Sequence, residues 1–137
     1  MLTVTFLLVV ALDQLSKTAA LQMLRQGEIR ISSRVRLSLV MNVRGGMPRL
    51  TTRQAALIST VCALVLLAWL AVAQDPASAT LMGTGLVLGG AASNLADRFG
   101  RGSIVDFVHV WRWPTFNLAD AALCCGTALS VVGFWWR

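Results

Sequence analysis

An uncharged apolar run constrains the fold of this chain more than any other feature. The run reads "AALISTVCALVLLAWLAVA" and extends from Ala55 to Ala73 without a single charged residue. A helix needs about 20 consecutive, mostly apolar residues to cross the hydrocarbon core of a bilayer. The run therefore predicts a transmembrane helix.

The composition agrees with a membrane location. Of the 137 residues, 56% are hydrophobic and only 13% are charged. Soluble domains carry roughly 25% charged residues, and a soluble protein of this length could not bury so much apolar surface. We therefore expect an integral membrane protein in which residues 1–137 form a single domain.

Three more apolar segments accompany this run. With 55–73, they predict four transmembrane spans at about residues 3–24, 55–73, 79–95 and 116–136. The first is interpreted as a retained span, because its apolar stretch is followed by Asp13 and Gln14 instead of the small residues of a signal-peptide cleavage site. Small residues in the third span should let neighbouring helices approach closely: Gly83, Gly85, Gly89, Gly90, Ala91 and Ala92.

The first loop, roughly residues 25–54, is long and basic. Its segment "IRISSRVRLSLVMNV" alternates polar and apolar residues and so predicts strands that form a small β-sheet beside the membrane. The predicted fold is thus an all-α membrane protein with four transmembrane helices and a small sheet from the first loop. Seven of the 12 basic residues lie in this loop. Contact with anionic lipid headgroups explains them better than nucleic-acid binding does.

Four spans place the first and third loops on the same side of the membrane, and both termini on the other. This parity gathers seven polar residues near one leaflet: Asn42, Asn94, Asp97, Arg98, Asp106, Asn117 and Asp120. Asp13 and Lys17 lie four residues apart on the first span, where they can pair and lower the cost of burying each other. Ionisable residues within a membrane usually mark a functional site.

Two neighbouring carboxylates in a low-dielectric environment cannot both ionise easily, so one keeps a proton while the other activates water. Structural roles compete with this interpretation: Asp97 and Arg98 can form an ion pair, Asp120 can cap a helix, and buried acids can relay protons. The residues alone leave these possibilities open. Serine catalysis lacks support, because the chain has one histidine, His109, and no GxSxG motif.

The three cysteines, Cys62, Cys124 and Cys125, lie inside apolar runs and show no CxxC spacing. We interpret them as packing residues. With one histidine and no paired cysteine motif, the sequence predicts no metal site.

Three blocks, in order along the chain, resemble the lipoprotein signal peptidase family, signal peptidase II. They are "DQLSK" at 13–17, "GGAASNLADRFGRGSIVDF" at 89–107 and "FNLAD" at 116–120. The resemblance implies an aspartyl endopeptidase of the bacterial cytoplasmic (inner) membrane. Such an enzyme removes the signal peptide from diacylglyceryl-modified prolipoproteins, cleaving just before the lipidated cysteine.

The resemblance also implies roles for individual residues. Asp106 and Asp120 fall on the catalytic pair. The supporting and substrate-binding positions fall on Asp13, Lys17, Asn42, Asn94, Asp97, Arg98 and Asn117. The resemblance implies prolipoprotein substrates and neither a metal nor an organic cofactor. We also expect membrane lipids as partners and a monomeric protein.

Two features depart from the family's pattern. The block "NVRGGM" keeps Asn42 but has Arg44 and Met47 where a glycine and an aromatic residue are usual, and the 14 positions from Asp106 to Asp120 form a short connection. A non-proteolytic relative that binds lipopeptides or confers inhibitor resistance is therefore an alternative. A second alternative is a small proton-coupled transporter that uses Asp13, Asp97 and Asp120 as a proton relay.

The resemblance places both termini in the cytoplasm and the site toward the extracytoplasmic leaflet. The arginines of the first loop oppose this topology, since loops rich in Lys and Arg usually stay in the cytoplasm. We follow the motifs.

Overall fold

The computed structural model describes residues 1–43 and 78–135, although not the side chains of residues 134 and 135. The predicted second span, 55–73, lies outside these residues, as do Cys62 and most of the "NVRGGM" block. The described part contains three helices, α1 (Leu2–Met23), α2 (Ser78–Arg101) and α3 (Leu118–Trp135). They coincide with the first, third and fourth predicted spans.

The helix α2 continues six residues beyond the predicted end of its span at residue 95, as far as Arg101. The prediction stopped short because Asp97 and Arg98 interrupt the apolar pattern, whereas the fold buries Asp97 completely. Gly102, with φ of +74°, then ends the helix, and its N–H donates to the carbonyl of Arg98. Glycine is the residue that adopts this left-handed conformation without strain.

Among the described helices, α1 is long and apolar enough to cross a membrane by length and composition, while the apolar part of α3, Leu118–Gly133, is shorter. Several large apolar side chains of α1 are more than half exposed, including Leu7, Leu8, Leu12 and Leu15. Cys124 and Cys125 on α3 are exposed as well. The prediction that they are packing residues is therefore wrong for these two.

The β-sheet is confirmed, but it draws on two loops instead of one. Strands β1 (Ile29–Arg30), β2 (Val35–Asn42) and β3 (Ile104–Val110) pair antiparallel in the order β1-β2-β3. The third strand follows α2 and was expected to be part of a loop. Its pairing places Val40 opposite Asp106 and Asn42 opposite Ile104. The site-bearing segment is thus held by backbone hydrogen bonds.

Glycines set the distances between the helices, as the third-span pattern predicted. A Cβ atom on Gly83 would lie 2.6 Å from the carbonyl oxygen of Gly126, and one on Gly89 would lie 2.9 Å from that of Phe6. Real Cβ atoms do not approach so closely, so α2 can lie against both α1 and α3 only because glycine has no side chain at these positions. A small apolar cluster of Ala20, Leu24 and Phe107 then joins the end of α1 to the sheet.

Candidate active site

Asn117 and Asp120 cap the N-terminus of α3 reciprocally. The backbone N–H of Asp120 donates to Asn117 Oδ1 over 2.9 Å, and the backbone N–H of Asn117 donates to Asp120 Oδ2 over 3.3 Å. This is the geometry of a capping box, in which the residue before the helix and the third helical residue satisfy each other's free donors. Asp120 is therefore the inner member of the cap, and Asn117 is the N-cap residue.

Asp106 extends from β3 toward this helix end and is almost completely buried. Two side-chain amides donate to its carboxylate, Asn42 Nδ2 to Oδ2 over 2.9 Å and Asn117 Nδ2 to Oδ1 over 2.8 Å. One amide comes from the neighbouring strand β2 and the other from the cap of α3. The carboxylate is thus oriented from both sides.

Amide side chains connect the two carboxylates. Asn94 Nδ2 on α2 donates to Asp120 Oδ1 over 2.9 Å, and Asn94 Oδ1 accepts from Asn117 Nδ2 over 3.1 Å. The Asn117 side chain therefore contacts both aspartates. Its Nδ2 atom donates to Asp106, and its Oδ1 atom accepts the backbone N–H of Asp120. Asp120 remains half-buried, which leaves one side of the pair accessible.

Arg98 on α2 supplies a positive charge close to this pair. Its guanidinium interacts electrostatically with both Asp120 and Asp106. Its Nε atom is buried and has no hydrogen-bond partner among the described residues. Asp97 does not pair with this neighbour, because its carboxylate bonds to Lys17 and Arg101 instead.

A second, fully buried cluster centres on Lys17. Its ammonium group contacts Asp13 Oδ2 at 2.6 Å, Asp97 Oδ2 at 2.8 Å and Asn94 Oδ1 at 2.9 Å. The predicted pairing of Asp13 with Lys17 is therefore confirmed. Three donors meet three acceptors, so the buried charge is fully compensated. Asn94 belongs to both clusters and joins them.

The Lys17 cluster also holds the backbone of the segments that carry the aspartates. Asp13 Oδ1 accepts the N–H of Ala119 over 2.8 Å, and Asp97 Oδ2 accepts the N–H of Val105 over 3.2 Å. Ala119 precedes Asp120, and Val105 precedes Asp106. The buried acids of α1 and α2 thus fix the positions of the two aspartates through their neighbours in sequence.

Burial is the main cause of an altered pKa at Asp106. It raises the pKa of this carboxyl from its ordinary value of 3.8 to about 6, and the nearby charge of Asp120 acts in the same direction. The hydrogen bonds from Asn42 and Asn117 oppose the rise, since they stabilise the charged form. Asp106 is therefore suited to keep a proton that an exposed aspartate would lose.

The structure brings all nine predicted site residues into one connected region, although not in equivalent places. Asn42, Asn94 and Asn117 contact the aspartates directly, whereas Asp13, Lys17 and Asp97 form the buried cluster behind them.

Sequence reasoning missed Gln14, Ser93 and Arg101. Ser93 donates to Asp13 over 2.6 Å, and Gln14 lies between Ser93 and Asp97. The spacing of Arg101, four residues after Asp97 on a helix, was the available signal for its ion pair.

Comparison with known proteins identifies the family of this chain. A family model described as Signal peptidase (SPase) II matches residues 5–136. The chain belongs to the signal peptidase II family. This is a family of aspartic peptidases in the membrane, and its function is to remove signal peptides from prolipoproteins. Neither a lipopeptide-binding relative nor a proton-coupled transporter is favoured by this membership.

Known lipoprotein signal peptidases match this signal peptidase II chain over most of its length. The lipoprotein signal peptidase of Syntrophomonas wolfei is 38% identical over 93% of this chain and 88% of its own length. That of Coxiella burnetii is 34% identical over 91% of this chain and 83% of its own. Both matches therefore extend over most of the chain and are not confined to one short segment.

Two solved structures share the fold. Both are described as bacterial membrane enzymes, and both superpose with a TM-score of 0.84. They are 21% and 19% identical in sequence and match 98% and 99% of this chain, over 87% and 93% of their own lengths. The arrangement of helices and sheet is thus one that bacterial membrane enzymes adopt.

Proposed function

We propose that this signal peptidase II cleaves diacylglyceryl-modified prolipoproteins just before the lipidated cysteine, with Asp106 and Asp120 as the catalytic pair. The observation that carries the proposal is the position of Asn117. Its side chain contacts Asp106 and Asp120 together, at the point where a strand and a helix end meet beside the half-buried face of Asp120. Such a pair can hold one water between an acid and a base.

In the proposed reaction the pair shares a single proton. Asp106 holds it, because burial raises its pKa to about 6. The water oxygen attacks the scissile carbonyl carbon while Asp120 takes a proton from the water. At the same time Asp106 donates its proton to the carbonyl oxygen. Asp120 then returns a proton to the leaving nitrogen of the cysteine, the C–N bond breaks, and Asp106 regains its proton from the new carboxyl group.

The charge of Arg98 fits this proton count. When one aspartate is protonated and the other is ionised, the pair carries one negative charge, which the positive charge of Arg98 balances. This neutrality favours the singly ionised state in a low-dielectric environment. In this proposal Asn42, Asn94 and Asn117 orient the carboxylates. Asp13, Lys17 and Asp97 hold the segments on which the carboxylates lie. No step requires a metal or an organic cofactor.

We further infer that residues 1–137 form one domain with four spans and both termini in the cytoplasm, so that the site faces the extracytoplasmic leaflet. A diacylglyceryl group places the adjacent peptide bond near the headgroups, where polar site residues at helix ends lie. We also propose that the enzyme acts as a monomer. A C-terminal fluorescent-protein fusion should fluoresce in cells, whereas a dark fusion would reject the topology.

The catalytic assignment is tested by substitution. Purified wild-type protein in detergent should convert a diacylglyceryl-modified prolipoprotein to a shorter product on a gel, and Asp106→Asn and Asp120→Asn should each reduce the rate by at least about a thousandfold. Both variants should keep the thermal melting temperature within a few degrees. Met41→Leu, an exposed position on β2, serves as the control. Substantial cleavage by either aspartate variant would reject the pair.

A further inference from the structure

A basic cavity lies at the end of the sheet opposite the aspartates. Its volume is about 260 Å³. The lining residues come from the β1–β2 turn and from the ends of β2 and β3: Arg30, Ser32, Ser33, Arg34, Val35, Arg36, His109 and Trp111. Because Asp106 and His109 are three positions apart on β3, the cavity begins about 10 Å along the strand from Asp106. It is therefore separate from the candidate active site.

The charges that line the cavity favour an anion. Three arginines face it, and Glu28 is the acidic residue paired with two of them, at 2.8 Å from Arg30 and 3.6 Å from Arg36. The remaining net charge is +2. Arg36 Nε is buried and has no hydrogen-bond partner among the described residues. The Arg36 side chain as a whole is 42% exposed, so the outer part of its guanidinium group can reach an anionic oxygen.

The turn supplies further donors. Ser32 Oγ accepts the backbone N–H groups of Arg34 and Val35, at 3.3 and 3.2 Å, so its own hydroxyl hydrogen is oriented away from the turn. Guanidinium and hydroxyl donors around one concavity are the groups that bind phosphate in proteins. Since one water occupies about 30 Å³ of liquid, the cavity has room for a phosphate group.

Aromatic residues beside the cavity indicate where the phosphate comes from. Trp111, which lines the cavity, and the nearby Trp113 are mostly exposed. The guanidinium groups of Arg34 and Arg112 lie over the Trp111 ring, at 5.9 and 5.2 Å from its centre. Trp111 has φ of +46°, a conformation uncommon for a bulky residue, and its N–H donates to the Arg34 carbonyl over 2.7 Å. Tryptophan combined with arginine in this manner is typical of the headgroup region of a bilayer.

Apolar side chains next to the turn point to the same environment. Ile29 and Ile31 are exposed on either side of Arg30. In water such a pair would be unfavourable, whereas at a membrane surface the isoleucines contact acyl chains while the arginines contact phosphates. An acidic peptide or free phosphate would use the arginines but would leave the tryptophans and isoleucines unexplained.

We propose that this basic cavity binds the phosphodiester headgroup of an anionic phospholipid in the leaflet that the active site faces. The lipid is distinct from the diacylglyceryl group of a substrate, which carries no phosphate. Binding at the far end of β2 and β3 holds the sheet against the membrane surface. This function accounts for three of the seven arginines in the first loop, Arg30, Arg34 and Arg36.

The proposal is tested by lipid binding, which is independent of cleavage. Native mass spectrometry of the protein released from detergent micelles is used to compare dioleoylphosphatidylglycerol, dioleoylphosphatidylcholine and dioleoylglycerol. We expect the anionic lipid to bind at least tenfold more tightly than the other two. Arg36→Gln should weaken that binding about fivefold, the effect expected for one arginine near a charged surface. Arg30→Gln, at an exposed position, should act in the same direction if Arg36→Gln does not fold.

Arg25→Gln provides the matched control, because it removes an exposed charge from the same loop but outside the cavity. Its affinity for the anionic lipid should stay within twofold of the wild type. An equal loss in Arg25→Gln and Arg36→Gln would overturn the proposal in favour of diffuse attraction. Displacement of the lipid by millimolar inorganic phosphate, or by an acidic peptide at equal concentration, would overturn the assignment of the ligand as a lipid.

Discussion

Asn117 shows how much a single residue determines in this site. It caps α3, bonds to Asp106 and contacts Asn94, so its side chain defines the relation between the two aspartates. An amide suits this role because it donates and accepts at once, whereas a carboxylate could not donate to Asp106. The same logic applies to Asn42 and Asn94, each of which places an amide against one aspartate.

The raised pKa of Asp106 predicts the pH dependence of cleavage. If Asp106 must be protonated, activity falls as the pH rises through about 6. The Asn42 amide stabilises the charged carboxylate and lowers the pKa, so Asn42→Ala should raise it and shift this alkaline limb to higher pH by about half to one unit. The pH profile of kcat/KM measures the shift. A profile displaced to lower pH, or one unchanged from that of the Met41→Leu control, would contradict the role of Asn42.

At the scale of elements, the position of Asp120 depends on how closely α2 and α3 pack. A Cβ atom on Gly90 would lie 2.6 Å from the carbonyl oxygen of Ala119, the residue immediately before Asp120. The glycine therefore serves the site as well as the packing. This contact connects a small residue in the middle of α2 to the orientation of a proposed catalytic side chain.

Substitution of Gly90 should consequently impair activity. Gly90→Ala pushes the first turn of α3 away from α2, and we expect cleavage to fall at least tenfold with the protein still folded. Gly100→Ala is the control, because nothing lies within 4 Å of a Cβ atom at that helical position. There the alanine should stabilise by about 0.5–1 kcal/mol through helix propensity. Full activity in Gly90→Ala would show that the close approach does not position Asp120.

At the scale of the whole molecule, the Lys17 cluster joins α1, α2, α3 and β3 through one buried ammonium group and its acceptors. Asp13 and Asp97 balance the charges of Lys17 and Arg101, so the cluster is neutral. In a membrane protein the helices have little hydrophobic force between them, and buried polar contacts of this kind specify their arrangement.

Removing the ammonium group should therefore destabilise the protein strongly. Lys17→Met leaves one uncompensated buried carboxylate and should cost about 3–5 kcal/mol, measured as a lower melting temperature in detergent. Adding Asp13→Asn restores neutrality and keeps an oxygen for the Ala119 N–H. The double variant should thus be more stable than Lys17→Met alone. A double variant less stable than the single one would contradict charge balance as the reason for the cluster.

The sequence by itself determined the three helices that the structure describes, the glycine-lined contacts of α2, the Asp13–Lys17 pair and the set of polar residues at one end of the bundle. These follow from local patterns, namely length, hydropathy and spacing on a helix. Only the tertiary structure decided that 104–110 is a strand paired with the first loop, that Asp97 pairs with Lys17 and Arg101, and that Asn117 connects the two aspartates. These contacts join residues far apart in the chain, or choose among several near neighbours. Their formation depends on how closely the glycines let the helices approach, and a one-dimensional pattern does not contain that distance.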